Sequence, residues 1–394
     1  MLLPYATDRP PARRPDLTWT LLAVNALLTL LTLILQQVNG PGSARAIYHT
    51  FGIVPAHFQP FSLLTYSFFH DGLGHLLTNL FYLWVFGAGV EEVVGGWRFL
   101  ALYLLGGAVG GVLETLVIVV LLPGQAAEQP IVGASAACAG LVGLFAVRYY
   151  RARLSFVGLP WRPQVVAVVG LFLAFEIGTG LWDIFTGYGA GGVAHWAHVG
   201  GFIFGLVWGQ AFGFVEVGER AYLKMDAARA MARNVPGAAI RRWEKLLERD
   251  PENMTARLEL ARAWLLLGDT EQSGSHYQHA LRKLLRRRKR AEAARLYAEI
   301  RDHDLRAPTL PASELFPLGV ALEESEQYAL AAETLRSLTV HSPDAPEAEL
   351  ALLKVITLYA HQLNRREEAQ ILLRVFLDRY PHSQWRSMAE EMMT

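Results

Sequence analysis

The chain reads as an all-α protein: a polytopic six-helix transmembrane bundle followed by a soluble α-helical repeat domain. Two observations predict this. From Leu17 to about Phe214 the 394-residue sequence consists mostly of long apolar runs, and its first lysine is Lys224. From there to Thr394 it is rich in Arg and Glu with helical periodicity, broken at Asp250-Pro251, Gly268-Asp269 and Ser342-Pro343. The formal net charge of zero is therefore the sum of a membrane part and a charged part, and nothing in it points to nucleic acid. The single cysteine, Cys138, excludes an internal disulfide and reads as a small packing residue in an apolar helix.

Residues 1–16 read as a cytoplasmic N-terminal tail. Arg9, Arg13 and Arg14 precede the apolar run Leu17–Leu35. That run is long enough to span and lacks a small-residue cleavage site, so a retained first span is expected rather than a signal peptide. Six segments approach the length of about 20 residues that a bilayer requires: about 17–38, 66–90, 99–122, 133–150, 165–185 and 195–215. The membrane domain is thus expected over 17–215, a linker over 216–235 and the helical domain over 236–394. Basic residues set the orientation. One side carries Arg9, Arg13, Arg14, Arg98, Arg148, Arg151, Arg153, Arg162, Arg220 and Lys224, and the other only Arg45. Both termini are expected in the cytoplasm, in a multi-pass protein of a bacterial inner membrane.

With that orientation, Ser135 begins the fourth span and His198 the sixth, both entering from outside. His75 lies in the outer half of the second, with Asn79 one turn further on the same face. Polar groups inside a membrane are costly and mark function. Singly, each has a bland reading: small residues mediate helix packing, and a lone histidine can be an interior hydrogen-bonding group. Jointly they suggest a serine nucleophile with an imidazole base. His75, Asn79 and the Ser135 backbone N–H would donate to an oxyanion. Stripes of small residues, Ser135/Ala139/Gly143 and Gly201/Gly205/Gly209, would let the fourth and sixth helices approach closely.

In these motifs the chain resembles the rhomboid family of intramembrane serine proteases. They are His70-Asp71-Gly72-Leu73-Gly74-His75-Leu76-Leu77-Thr78-Asn79, Gly87-Ala88-Gly89-Val90-Glu91, Gly133-Ala134-Ser135-Ala136 and Ala197-His198-Val199-Gly200-Gly201. The resemblance covers about residues 17–215. It implies Ser135 as nucleophile, His198 as base, His75 and Asn79 as oxyanion donors, and transmembrane protein segments as substrates, cut near the outer face. Gly133, His70 and His195 are candidates for supporting roles. Two positions depart from the family's usual pattern. Ala136 stands where glycine is most frequent after the nucleophile. Ala139 stands where an aromatic residue often packs on the catalytic imidazole, leaving the ring of His198 without that support.

Glu114 and Glu176 fall within apolar spans, where a carboxyl is expected to be protonated or hydrogen-bonded inside the bundle. Glu91 is expected to tie down the loop that carries Arg98. The run Gly187-Tyr188-Gly189-Ala190-Gly191-Gly192 suits either a mobile cap over the site or a flexible connector. No metal or organic cofactor is implied, since the histidines lack an acidic or cysteine neighbour at metal spacing.

Beyond Gly218, three stretches repeat small and aromatic positions on paired helices: Ala261, Tyr277 and Ala280; Ala321, Tyr328 and Ala332; Leu358, Ala369, Phe376 and Tyr380-Pro381. They resemble degenerate tetratricopeptide repeats, which implies a module binding a protein or peptide partner. The basic run within Leu281–Arg290 suits a solvated helix face or anionic lipid head groups. Two rivals to the protease reading are a catalytically inactive relative that binds membrane segments as a scaffold, and a transporter relaying protons through Glu114, Glu176 and the histidines.

Overall fold

The computed structural model describes residues 4–9, 11–122, 124–186, 192–305 and 310–391. The described residues are mostly helical, and the chain divides into two compact units, Met1–Glu219 and Arg220–Thr394. The glycine-rich segment 187–191 lies outside the described residues.

In the first unit the apolar runs become α1 (Asp16–Asn39), α2 (Leu73–Val94), α3 (Gly96–Leu121), α4 (Ser135–Tyr149), α5 (Val165–Thr186) and α6 (His195–Ala211). Among the described residues, α1, α2, α3 and α5 are each long and apolar enough to cross a membrane. A fifth span results if α6 is counted with the helix after it, α7 (Phe214–Ala232), which follows a 70° bend. Each of the six expected segments forms a helix, and α4 and α6 are shorter than the other four. With 15 and 17 residues they extend about 22 and 25 Å, short of a hydrocarbon core about 30 Å thick. The second span also begins later than expected. Residues 66–72 are a short turn and an extended connection, because Gly72 has fully extended backbone that interrupts the helix. A single π-turn, Leu83–Gly87, interrupts α2.

Two carboxylates, the half-buried Glu91 and the buried Glu114, hold two of these helices by their ends. A helix N-terminus leaves backbone N–H groups without partners. Glu91 accepts from the backbone N–H groups of Leu17 and Thr18, at 3.0 and 2.8 Å, and from Thr18 Oγ1 at 2.7 Å. It therefore anchors the start of α1, not the loop carrying Arg98, a long-range pairing that local sequence does not reveal. Glu114 accepts from the Ala197 N–H at 2.9 Å and caps α6 in the same way. The interior is filled by Leu83, Phe86, Phe99, Leu102, Tyr103, Leu141 and Phe145. Outward-facing Leu27, Leu171, Phe175, Trp182 and Phe185 are exposed, as suits helices solvated by lipid tails. Within the N-terminal segment expected as a tail, Pro4–Thr7 form a strand, β1, paired antiparallel with β2 (Leu154–Phe156).

Most of the stretch expected as a linker, 216–235, is α7. Then follow α8 (Pro236–Arg249), α9 (Met254–Leu266), α10 (Thr270–Arg286), α11 (Arg290–Asp302), α12 (Ala312–Glu324), α13 (Tyr328–His341), α14 (Ala348–Thr357) and α15 (Arg366–Arg379). From α8 onward each packs on its neighbours in sequence, the arrangement of a helical repeat array. The breaks read from sequence fall at helix ends, where Asn253 and Asp269 cap α9 and α10 through Ala256 N and Gln272 N. Ala261, Tyr277, Ala280, Ala321, Ala332, Leu358, Ala369 and Phe376 are all buried in the core of this unit. In the basic run, Lys283 and Arg287 pair with Glu252 and Lys289 with Glu292, so part of its charge is answered by the helical unit itself.

Candidate active site

Ser135 is the first residue of α4 and His198 lies in the first turn of α6. The two helices run parallel with their backbones in contact. A Cβ on Gly201 would collide with the Ala136 carbonyl, one on Gly205 with the Gly140 carbonyl, and one on Gly143 with the Phe202 carbonyl. Glycine is required along this seam because nothing larger fits between the two backbones. The stripe expected on α6 is the one used, but on α4 the seam runs through Ala136, Gly140 and Gly143. Of the stripe expected on α4, Gly143 lies on the seam, while Ala136 and Gly140 take the places expected for Ser135 and Ala139. Ala136 and Ala197, the neighbours of the serine and the histidine, share one buried cluster with Ile53 and Tyr66. Ser135 is half-buried and the His198 side chain is 13% exposed. No hydrogen bond joins them among the described residues; catalytic hydrogen bonds commonly tighten only once substrate is bound.

The segment entering α4 is pinned residue by residue. Ile131 exchanges backbone hydrogen bonds with Ile53, and the Gly133 N–H donates to the Tyr66 carbonyl at 3.0 Å. The Ala134 N–H donates to His70 Nε2 at 3.3 Å, and Thr29 Oγ1 meets His70 Nδ1 at 3.0 Å. His70 is fully buried, a bridge from α1 to the residue before the serine. Gly133 has φ +128°, and a Cβ there would lie 2.6 Å from His75 Nε2. The His75 ring therefore faces the segment preceding Ser135. Its Nδ1 is 2.7 Å from Asp71 Oδ1. Asn79 is buried, and its Nδ2 donates to the His75 carbonyl at 3.1 Å, leaving one amide hydrogen for another acceptor.

The sequence reading missed what lies on the far side of His198. Glu176 Oε2 is 2.9 Å from His198 Nδ1 and 2.7 Å from His195 Nδ1. Thr179 Oγ1 approaches His195 Nδ1 at 3.1 Å, and Asp183 Oδ2 lies 4.0 Å from His195 Nε2. The expectation that the histidines lack an acidic neighbour is thus corrected in space. The partners are on separate helices, 19 and 22 positions apart, where local metal-ligand spacing has nothing to detect. One donor atom from each of Glu176, His195 and His198 lies within 4.8 Å of the others, a set able to hold a metal ion. Both Nδ1 atoms already meet the same carboxylate oxygen, so the network also closes by hydrogen bonding alone. One signal was available: Glu176, Thr179 and Asp183 recur at helical spacing in an otherwise apolar span.

This bundle, with its serine and histidine at one end of two parallel helices, belongs to a known class. Residues 57–213 match the rhomboid domain and residues 350–383 a tetratricopeptide repeat, so the first unit carries a rhomboid domain. The second match falls on α14 and α15. The chain is 26% identical to the rhomboid protease GluP of Bacillus subtilis over 209 residues, covering 52% of this chain and 36% of that protein. It is 32% identical to the chloroplastic rhomboid-like protein 11 of Arabidopsis thaliana over 208 residues, 51% of this chain and 66% of that one. Over 197 residues it is 28% identical to the mitochondrial presenilin-associated rhomboid-like protein A of Danio rerio, 48% of this chain and 47% of that one. The chain thus spans from about a third to two thirds of these relatives' lengths.

Proposed function

We propose that the protein is an intramembrane serine endopeptidase that cuts transmembrane segments of other membrane proteins near the outer face, with its repeat unit binding a protein or peptide partner. The observation that carries this reading is the parallel, glycine-lined contact of α4 and α6, which brings Ser135 and His198 to the same end of the bundle. In the reaction, His198 Nε2 takes the Ser135 hydroxyl proton as Oγ bonds to the scissile carbonyl carbon. The oxyanion is met by the Ser135 N–H, Asn79 and His75. His75 donates from Nε2 only when both its nitrogens carry protons, with Asp71 as counter-ion at Nδ1. As the C–N bond breaks, the imidazolium gives its proton to the departing amine. Water then attacks the acyl carbon and gives a proton to His198, and as the C–Oγ bond breaks the imidazolium returns that proton to Ser135.

With 15 and 17 residues α4 and α6 are shorter than the hydrocarbon core is thick, which suits a water-accessible hollow below the membrane surface. The arginine distribution favours the outer side for that hollow, with both termini cytoplasmic in a bacterial inner membrane. In proteoliposomes the protein is expected to cleave a fluorogenic transmembrane peptide, and Ser135→Ala or His198→Ala to lower the rate by at least about 10³-fold. Full activity in Ser135→Ala overturns the reading. Binding of the peptide without any cleavage by the unaltered chain favours the inactive scaffold instead.

A further inference from the structure

In this chain the imidazole of His198 lacks the aromatic support that Ala139 does not provide, yet its ring is held. The hold comes from α5. Phe172 places its ring 6.3 Å from that of His198, centroid to centroid and tilted by 32°. One turn later Glu176 sets Oε2 2.9 Å from His198 Nδ1. The same oxygen is 2.7 Å from Nδ1 of His195, one turn before His198 on α6. All three groups are largely withdrawn from solvent, with side-chain exposures of 4% for Glu176, 8% for His195 and 13% for His198.

We propose that Glu176 is the positioning residue of His198, making the site a Ser135–His198–Glu176 triad whose third member is contributed by α5, with His195 holding that carboxylate in place. This rests on the serine-protease reading above. A neutral imidazole carries one proton, and a carboxylate at Nδ1 holds it there. Nε2 is then left bare to accept the serine proton, and the ring cannot turn without giving up a charge-assisted hydrogen bond. As Ser135 attacks, positive charge appears on the imidazole beside Glu176, so the contact strengthens when it is needed. Glu176 itself takes no proton from the serine. His195 gives the carboxylate a second donor, and with Thr179 and Asp183 it ties α5 to α6 along one face.

A merely structural carboxylate joining α5 to α6 would have different consequences. The full-length protein in proteoliposomes separates the two through kcat and KM for a transmembrane peptide in Glu176→Gln and Glu176→Asp. Gln keeps size and one acceptor but no charge; Asp keeps charge at shorter reach. The positioning role predicts that Gln lowers kcat by at least about 10²-fold with KM within about twofold, and that Asp retains more kcat than Gln. A kcat within twofold of the parent in Gln, or a loss carried by KM, overturns it. The native chain gives an independent reading should neither variant fold. With 15N-labelled histidine, the resonance that disappears in His198→Gln is expected to report a protonated Nδ1, and a bare Nδ1 overturns the proposal. Failure of the protease reading is distinguishable: Ser135→Ala would then leave cleavage unchanged, whereas failure of this proposal alone leaves cleavage dependent on Ser135 and indifferent to Glu176.

Discussion

At Gly133 two demands fall on a single residue. Its φ of +128° is a backbone state that side chains resist, and the place of a Cβ is taken by the His75 ring. Gly133→Ala is expected to cost about 1–3 kcal/mol in local strain and to push His75 away from the oxyanion position. Cleavage should therefore fall far more than folded yield does, as size-exclusion and rate measurements on one preparation will report. His75→Ala and Asn79→Ala each remove one proposed oxyanion donor and are expected to lower kcat by about 10²- to 10³-fold. Residues of this kind were legible in the sequence because they sit in short contiguous motifs. The partners of those residues were less so. Asp71 stood in view, four positions before His75, without a role attached. The link from Glu176 to His198 required knowing how α5 is rotated against α6, which an almost uniformly apolar helix does not disclose.

Among the elements, the α4–α6 seam decides whether the site exists. Gly205→Ala places a methyl group against the Gly140 carbonyl, and neither backbone can yield without moving the other. A loss of about 1–3 kcal/mol is expected from such overpacking. Gly178→Ala, on α5 with open space around it, should be neutral, and thermal unfolding in detergent compares the two directly. The α6 stripe was readable because Gly201, Gly205 and Gly209 recur every four residues. On α4 small residues are so dense, from Ser135 to Gly143, that several faces satisfy the same pattern. The end of α6 was less readable because the apolar run continues past Ala211 through Phe212 and Phe214 to Val215, while the helix ends at Ala211. Glu114→Ala removes the cap of α6 and is expected to cost about 0.5–2 kcal/mol.

Across the whole molecule, composition alone separated the two units, since apolar runs and charged amphipathic helices need different solvents. In the repeat unit the buried Tyr277 hydroxyl donates to Glu299 Oε1 at 2.7 Å, and Arg262 grips the same carboxylate at 2.8 and 2.9 Å. Arg262 holds the Glu299 carboxyl below its ordinary value of 4.5, the burial effect being smaller. A depressed carboxyl stabilises the fold fully above its unfolded value, and that contribution fades as pH falls below about 4.5 through the folded value. Because Arg262 is partly exposed, the effect is expected to be about 1 kcal/mol. Hydrogen exchange across α10 and α11 should show protection falling on acidification, and Glu299→Gln should flatten that dependence. Full dependence retained in the variant would assign it to other groups.

The central claim is that a hydroxyl on α4 is made nucleophilic by an imidazole on α6. Its most direct measurement is the reaction of the solubilised full-length protein with a fluorophosphonate probe, with the adduct located by mass spectrometry. The expected result is a single modification at Ser135 that His198→Ala abolishes. Modification that spares Ser135, or that proceeds at Ser135 equally well without His198, would contradict it.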